Sequence, residues 1–301
     1  MSFIRFHASA ILSGFLWFGG SIHAMGSRAP ADDGNITCPR LNPPTVKNCI
    51  DFPEAICKQN LLNEAKGFGE ATTGGQPVSA AERYDNLIIN DLTFRGSAGD
   101  GVNISGDLRR VWIHHNNFSQ TGDGLMDIKG NASDISVSWN VFADQRDRSV
   151  LIAAGTGETG GSVTLHHNYW LGGYSRLPKI GDYRVHLLNN FYDNPQGKND
   201  VICKGTCQLF AEGNYYIPAS GGNVVMASEA SDTGVRGKIR TLGNRLRKSA
   251  RIDEHSASSV FNPRSSYNYQ AETADDAMAC RIRAFSGPRT HLFMAYQGRD
   301  T

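Results

Sequence analysis

A nine-residue pattern recurs six times between residues 86 and 216 and constrains the fold more than any other feature of the sequence. Its second and fourth residues are apolar in every copy, its seventh is asparagine in five, and its ninth is always aromatic. Apolar residues two positions apart are typical of a half-buried β-strand. The copies are residues 86–94, 110–118, 134–142, 162–170, 184–192 and 208–216.

Successive copies begin 24, 24, 28, 22 and 24 residues apart. A period near 24 is too short for a propeller blade but suits one coil of a parallel β-helix. Equal positions in neighbouring coils then lie about 4.8 Å apart. We therefore predict an all-β fold, a right-handed parallel β-helix of about six coils with short helical caps. The closing aromatic residues should form an interior stack, and the asparagines should form a hydrogen-bonded ladder at a bend.

Composition excludes several other classes. The chain has 301 residues, of which 40% are hydrophobic and 20% charged, with a formal net charge of +1. It is too apolar for a disordered protein, and it has no excess of charge that would favour a nucleic-acid partner. We divide it into a signal peptide (1–24), an N-terminal cysteine-containing segment with a capping helix (25–84), the β-helix (85–230), and a C-terminal basic segment and cap (231–301).

The signal peptide is predicted from a basic start followed by an apolar run that is too short to span a bilayer. We therefore expect a secreted protein, extracellular or periplasmic. An even number of cysteines in an exported chain indicates disulfides, although their spacing leaves the pairing open and zinc binding is the competing interpretation. The six cysteines are Cys38, Cys49, Cys57, Cys203, Cys207 and Cys280.

A column of charge follows the repeat. The residues six positions beyond the closing aromatics are Asp100, Gly124, Arg148, Arg176, Lys198 and Gly222, and Gly124 is flanked by Asp123 and followed by Asp127. In stacked coils these residues predict acids on two coils and then bases on three. Carboxylates without cysteine or histidine favour Ca²⁺, and stacked bases favour an anionic ligand. The competing interpretation is a charged surface without function.

The sequence at this point resembles the pectate lyases of polysaccharide lyase family 1. The resemblance covers residues 84–220, about half the chain. It rests on the stretches VWIHHNNFS, DGLMDIKG, ISVSWNVF, VTLHHNYW, SRLPK and VHLLNNFYDN, which occur in the order typical of the family.

The resemblance implies roles for the charged column. Asp100, Asp123 and Asp127 match the family's calcium-binding acids, Arg176 matches the arginine that removes the C5 proton of galacturonate, and Arg148 matches a substrate-binding lysine.

The family's second arginine, five residues after the catalytic one, is replaced by Gly181. We expect its substrate-binding role to pass to Lys179, Arg184 or Lys198.

The resemblance therefore implies a secreted, Ca²⁺-dependent pectate lyase that cleaves α-1,4-polygalacturonate by β-elimination, with Arg176 as the base. We expect a monomer whose partner is this acidic polysaccharide, with no nucleic-acid or membrane partner. The stretch GFGEATTGG at residues 67–75 also resembles a bacterial subset of the family, but family members place several more strand–turn units between this stretch and the first repeat than this chain does. The alternatives are therefore a catalytically impaired or non-catalytic β-helix that binds acidic polysaccharide, or a lyase or pectin lyase for a related uronate polymer.

Overall fold

The structure is a computed structural model that describes residues 3–5, 36–39, 67–69, 85–145, 147–155, 157–197 and 199–289. Lys198, the predicted capping helix before residue 67, and all of the predicted signal peptide except residues 3–5 lie outside the described residues. Within the described part, no helix is long and apolar enough to cross a membrane.

The described residues form short strands with few helices. In chain order the strands are β1 (Phe3–Arg5), β2 (Asp85–Asn90), β3 (Thr93–Arg95), β4 (Val102–Ser105), β5 (Arg109–His114), β6 (Asn117–Ser119), β7 (Met126–Lys129), β8 (Ser133–Ser138), β9 (Val141–Ala143), β10 (Val150–Ala153), β11 (Ser162–His166), β12 (Tyr169–Leu171), β13 (Lys179–Gly181), β14 (Arg184–Leu188), β15 (Phe191–Asp193), β16 (Asn199–Lys204), β17 (Gln208–Glu212), β18 (Tyr215–Ile217), β19 (Val224–Glu229), β20 (Lys238–Leu242), β21 (Arg245–Leu246) and β22 (Arg251–Ile252). Two 3₁₀ turns (Ala257–Ser259 and Pro263–Ser265) and helix α1 (Asp276–Phe285) follow.

These strands stack into three sheets. Sheet A has the order β1-β4-β7-β10-β13-β16-β19-β22, sheet B the order β2-β5-β8-β11-β14-β17-β20, and sheet C the order β3-β6-β9-β12-β15-β18-β21. The chain visits B, C and A in turn, so each coil gives one strand to each sheet. All pairs are parallel except β1 with β4. The predicted all-β parallel β-helix is therefore confirmed.

The repeat pattern determines which residues form the core. The second and fourth positions of the repeats pair in register on sheet B, as with Val111 and Ile135, and are buried inside the coils. The ninth positions meet in sheet C as an interior aromatic stack, with ring centroids 4.2–5.5 Å apart. The stack comprises Phe94, Phe118, Phe142, Trp170, Tyr192 and Tyr216.

The seventh positions form the predicted asparagine ladder at the bend between sheets B and C. The side-chain oxygen of Asn140 accepts hydrogen bonds from the backbone N–H of Asn116 (2.9 Å) and from its side-chain amide (3.0 Å). The same pattern repeats from coil to coil, so each asparagine satisfies buried polar groups of its neighbour. The ladder comprises Asn116, Asn140, Asn168, Asn190, Asn214 and Asn244.

The β-helix extends beyond the boundary predicted at residue 230. Strands β20, β21 and β22 continue sheets B, C and A. Residues 238–246 are a seventh repeat with Asn244 at its seventh position, but Thr241 and Leu246 replace the apolar and aromatic residues on which the prediction relied.

Helix α1 lies along the side of the coils. Its buried residues pack against Tyr169, Phe191 and Tyr215, which come from three successive coils of sheet C. The Asp275 carboxylate caps the helix by accepting a hydrogen bond from the backbone N–H of Met278 (2.8 Å). The predicted disulfides are present as Cys38–Cys280, which fastens the N-terminal segment to α1, and as Cys203–Cys207.

Candidate functional site

Two carboxylates converge at the outer surface of sheet A. Asp127 lies on β7, and Asp100 lies in the turn before β4 on the preceding coil. The backbone N–H of Gly124 donates to Oδ1 of Asp100 (2.9 Å). A Cβ at Gly124 would lie 2.9 Å from Oδ1 of Asp100 and 3.2 Å from Oδ1 of Asp127. The absence of a side chain at Gly124 thus lets both carboxylates approach the same point.

The pair is electrostatically strained. The pKa of Asp127 is raised, chiefly by burial and also by the nearby charge of Asp100, while the Lys129 ammonium opposes both effects. Lys129 forms an ion pair with Oδ2 of Asp127. Sequence reasoning missed Lys129 as a functional residue, although its position two residues beyond Asp127 places it on the same face of the strand. A bound cation would relieve the repulsion between the carboxylates.

The third predicted calcium ligand lies apart from this pair. Asp123 accepts a hydrogen bond from Nη1 of Arg148 (3.1 Å), and Asp147 forms a second ion pair with Arg148 (3.4 Å). Among the residues that the structure describes, no three His, Cys, Asp or Glu side chains are grouped so as to hold a metal ion. The structure thus brings together two of the three predicted acids and pairs the third with a predicted substrate-binding base.

Arg176 lies in a turn on the coil next to Arg148. The two turns run side by side, since the backbone N–H groups of Ser149 and Val150 donate to the carbonyls of Ser175 (3.1 Å) and Arg176 (2.8 Å). Arg176 has a φ of 59°, in the left-handed region that costs an L-residue about 1 kcal/mol. Its guanidinium forms no hydrogen bond or ion pair with any described residue. It is therefore available to a ligand.

Of the remaining predicted bases, some lie on the same face of sheet A as Asp127 and some do not. Lys179 is in register with Asp127 through Leu151, so it lies two strands away on the outer face of sheet A, about 10 Å along the stack. Arg184 starts a strand of sheet B and donates to Oγ of Ser162 (3.0 Å), so the structure does not bring it to this face.

Lys198 lies outside the described residues. Lys204 pairs in register with Gly181, at the position where the family's second arginine is missing. Sequence reasoning overlooked Lys204, because only the strand register reveals that the two residues are neighbours.

A groove of about 1500 Å³ runs across the turns that connect sheet C to sheet A. Asp123 and Arg148 face it, and the exposed Leu171 and Tyr174 lie on its wall. The groove crosses several coils, as a site for an extended polymer would. Its other lining residues are Gln120, Thr121, Gly122, Asp144, Gln145, Asp147, Gly172, Gly173, Asn194 and Gln196.

Comparison with known proteins identifies relatives of this chain. A family model described as pectate lyase matches residues 83–290. A pectate trisaccharide-lyase of Thermotoga maritima is 32% identical over 148 residues, which is 44% of this chain and 38% of that protein. Pectate lyase C of Dickeya chrysanthemi is 27% identical over 147 residues, also 38% of its length. The matched region thus spans about two fifths of these curated relatives.

Solved structures agree on the fold. A pectate lyase from Bacillus sp. N165, in complex with trigalacturonate, has a TM-score of 0.53 at 24% identity, covering 67% of this chain and 68% of that one. Pectate lyase C from Erwinia chrysanthemi, solved at pH 9.5 with 30 mM Ca²⁺, has a TM-score of 0.57 at 19% identity, covering 69% and 66%.

Proposed function

Because the chain belongs to the pectate lyase family, we propose that it cleaves α-1,4-polygalacturonate by Ca²⁺-dependent β-elimination. The observation that carries the proposal is Arg176, whose guanidinium has no partner among the described residues and whose turn hydrogen-bonds to Val150 on β10, the strand next to the one that carries Asp127. A groove across several coils would accommodate an extended polyuronate chain. Arg176 would act as the base.

The Asp100–Asp127 pair fits a calcium ion. Both ligands are carboxylates, the donor type that Ca²⁺ prefers, and the pKa of Asp127 is raised chiefly by burial and also by the charge of Asp100. Asp123 would join them after leaving Arg148. Bound Ca²⁺ would withdraw charge from the uronate carboxylate and so make the C5 proton more acidic.

Different basic residues would bind the substrate and accept its proton. Arg148, Lys179, Lys129 and Lys204 are cations on or near the outer face of sheet A and would bind uronate carboxylates. Arg176 would accept the C5 proton. A guanidinium accepts a proton only in its neutral form, which alkaline solution and neighbouring positive charges favour. We therefore expect activity mainly at alkaline pH.

We also infer that the protein is exported. The apolar run in residues 8–18 and the two disulfides both suit an oxidising compartment outside the cytoplasm.

A second candidate is a β-helix that binds acidic polysaccharide without cleaving it. Two observations favour it: Gly181 replaces a substrate-binding arginine, and the relatives are much longer than the matched region.

The test follows the ultraviolet absorbance of the unsaturated product from polygalacturonate at alkaline pH, with calcium and then with chelator. We expect a rise that the chelator abolishes. Arg176→Lys should lower kcat by about a hundredfold while substrate binding persists. Arg184→Lys, on sheet B, is the matched control and should stay within about twofold of wild type. Binding without any absorbance rise in folded wild-type protein would favour the second candidate.

A further inference from the structure

Asp200 is a buried acid that the proposed reaction does not use. It lies on β16 with no solvent exposure, and neither carboxylate oxygen has a well-formed hydrogen bond to any described residue. Buried polar groups without partners are rare, and each costs about 1–3 kcal/mol. A buried carboxylate that breaks this rule is expected where function opposes stability.

The backbone of Asp200 holds the turn that carries Arg176, which we call the Arg176 turn (residues 173–178). The carbonyl of Asp200 accepts a hydrogen bond from the backbone N–H of Leu177 (2.7 Å), the residue directly after Arg176. At the start of the turn, the carbonyl of Gly173 accepts from the backbone N–H of Gln196 (2.8 Å). The next coil thus holds the turn near both of its ends.

The side chain of Asp200 packs between these two attachments. A Cβ at Gly197 would lie 2.9 Å from Oδ1 of Asp200 and 2.2 Å from the carbonyl oxygen of Tyr174. The Gly197 backbone is therefore in close contact with the Asp200 carboxyl on one side and with the Arg176 turn on the other. Loss of the carboxyl would let Gly197 shift and would loosen the turn at Tyr174, two residues before Arg176.

The end of the interior aromatic stack lies within electrostatic reach of the carboxyl. Burial is the main cause that raises the pKa of Tyr192 and of Tyr216, whose hydroxyls interact with each other, and the charge of Asp200 adds to the shift in both. Burial raises the pKa of Asp200 to about 7, and only the Gly197 backbone opposes this shift. Among the residues that the structure describes, no cation pairs with the carboxyl.

We propose that Asp200 is a positioning residue that fixes the Arg176 turn by packing against Gly197, which in turn packs against Tyr174. The inference rests on the proposed function, in which Arg176 must be held against the C5 proton. A misplacement of about 1 Å in such a group can cost about a hundredfold in rate.

The test compares Asp200→Ala with Asp200→Asn, which has nearly the same volume as the native side chain. In Asp200→Ala we expect amide hydrogen exchange in the Arg176 turn to accelerate about tenfold, while distant coils keep wild-type exchange. We also expect kcat to fall about tenfold with KM within about twofold. In Asp200→Asn, the exchange rate of the Arg176 turn and kcat should both stay within about threefold of wild type.

The matched control is Asp182→Asn, since Asp182 is an acid in another turn and hydrogen-bonds to Thr206 (2.8 Å). It should leave the Arg176 turn unchanged. Unaltered exchange in Asp200→Ala, or exchange that accelerates equally in all coils, would overturn the positioning role. If wild-type protein shows no elimination, the proposed function fails, and the exchange measurement still decides whether Asp200 fixes the turn.

Discussion

At the scale of single residues, the Asp200 carboxyl makes the stability of the molecule depend on pH. Burial raises its pKa from 3.8 to about 7 in the folded state. Between these values the folded protein holds a proton that the unfolded chain has lost, so this contribution to stability falls as pH rises to 7 and stays low above it.

Asp200→Asn removes this ionisation. We expect the variant to gain about 4 kcal/mol in unfolding free energy relative to wild type when pH rises from 4 to 9, because only the native carboxyl must ionise while buried. Denaturant titrations of both proteins at the two pH values measure the gain. Equal differences at both pH values would show that Asp200 does not titrate in this range.

The residues of the site were only partly predictable. The charged column located Asp100, Asp127 and Arg176 because it follows directly from the repeat period. The pairing of Asp123 with Arg148 and the burial of Asp200 depend on contacts between side chains and backbone of different coils, which the repeat pattern does not reveal.

At the scale of elements, a ladder asparagine should contribute most to the unfolding free energy where both neighbouring coils also carry a ladder asparagine. Asn168 accepts hydrogen bonds from Asn140 and donates to Asn190 and to the carbonyl of Val137, at 2.9–3.0 Å. Asn168→Ala would remove these bonds and would leave the buried backbone N–H of Asn140 without its acceptor, so we expect it to lower the unfolding free energy by about 3 kcal/mol.

Asn244 ends the ladder and is partly exposed, which makes it the matched control. Asn244→Ala should lower the unfolding free energy by about 1 kcal/mol, since water can replace part of the lost hydrogen bonding at this partly exposed position. Urea denaturation measures both variants. Equal losses at the two positions would mean that the ladder stabilises each coil independently of its neighbours.

The ladder also shows why elements were easier to predict than boundaries. Sheets B and C follow the repeat, because its apolar, asparagine and aromatic positions all face the interior or the bend. The seventh coil was not predicted, because Thr241 and Leu246 stand at its apolar and aromatic positions. Asn244 still occupies the ladder position. A search for the asparagine alone would have found it.

At the scale of the whole molecule, a disulfide joins Cys38 to α1 at the side of the coils. The sequence predicted a C-terminal cap, but the surface that α1 covers depends on Tyr169, Phe191 and Tyr215, which lie far from it in the chain. The pairing of Cys38 with Cys280 depends on that placement. For this reason cysteine spacing left the pairing open.

This long-range disulfide gives the last prediction. Cys38–Cys280 spans 242 residues, whereas Cys203–Cys207 spans four. A long cross-link restricts the unfolded chain, so Cys38→Ala/Cys280→Ala should lower the unfolding free energy by about 3 kcal/mol and raise the denaturant m-value as the unfolded state expands. Cys203→Ala/Cys207→Ala is the control: it also removes buried sulfur but barely alters the unfolded chain, so its m-value should match wild type. Equal m-values in all three proteins would mean that the bond between Cys38 and Cys280 acts only through local packing against α1.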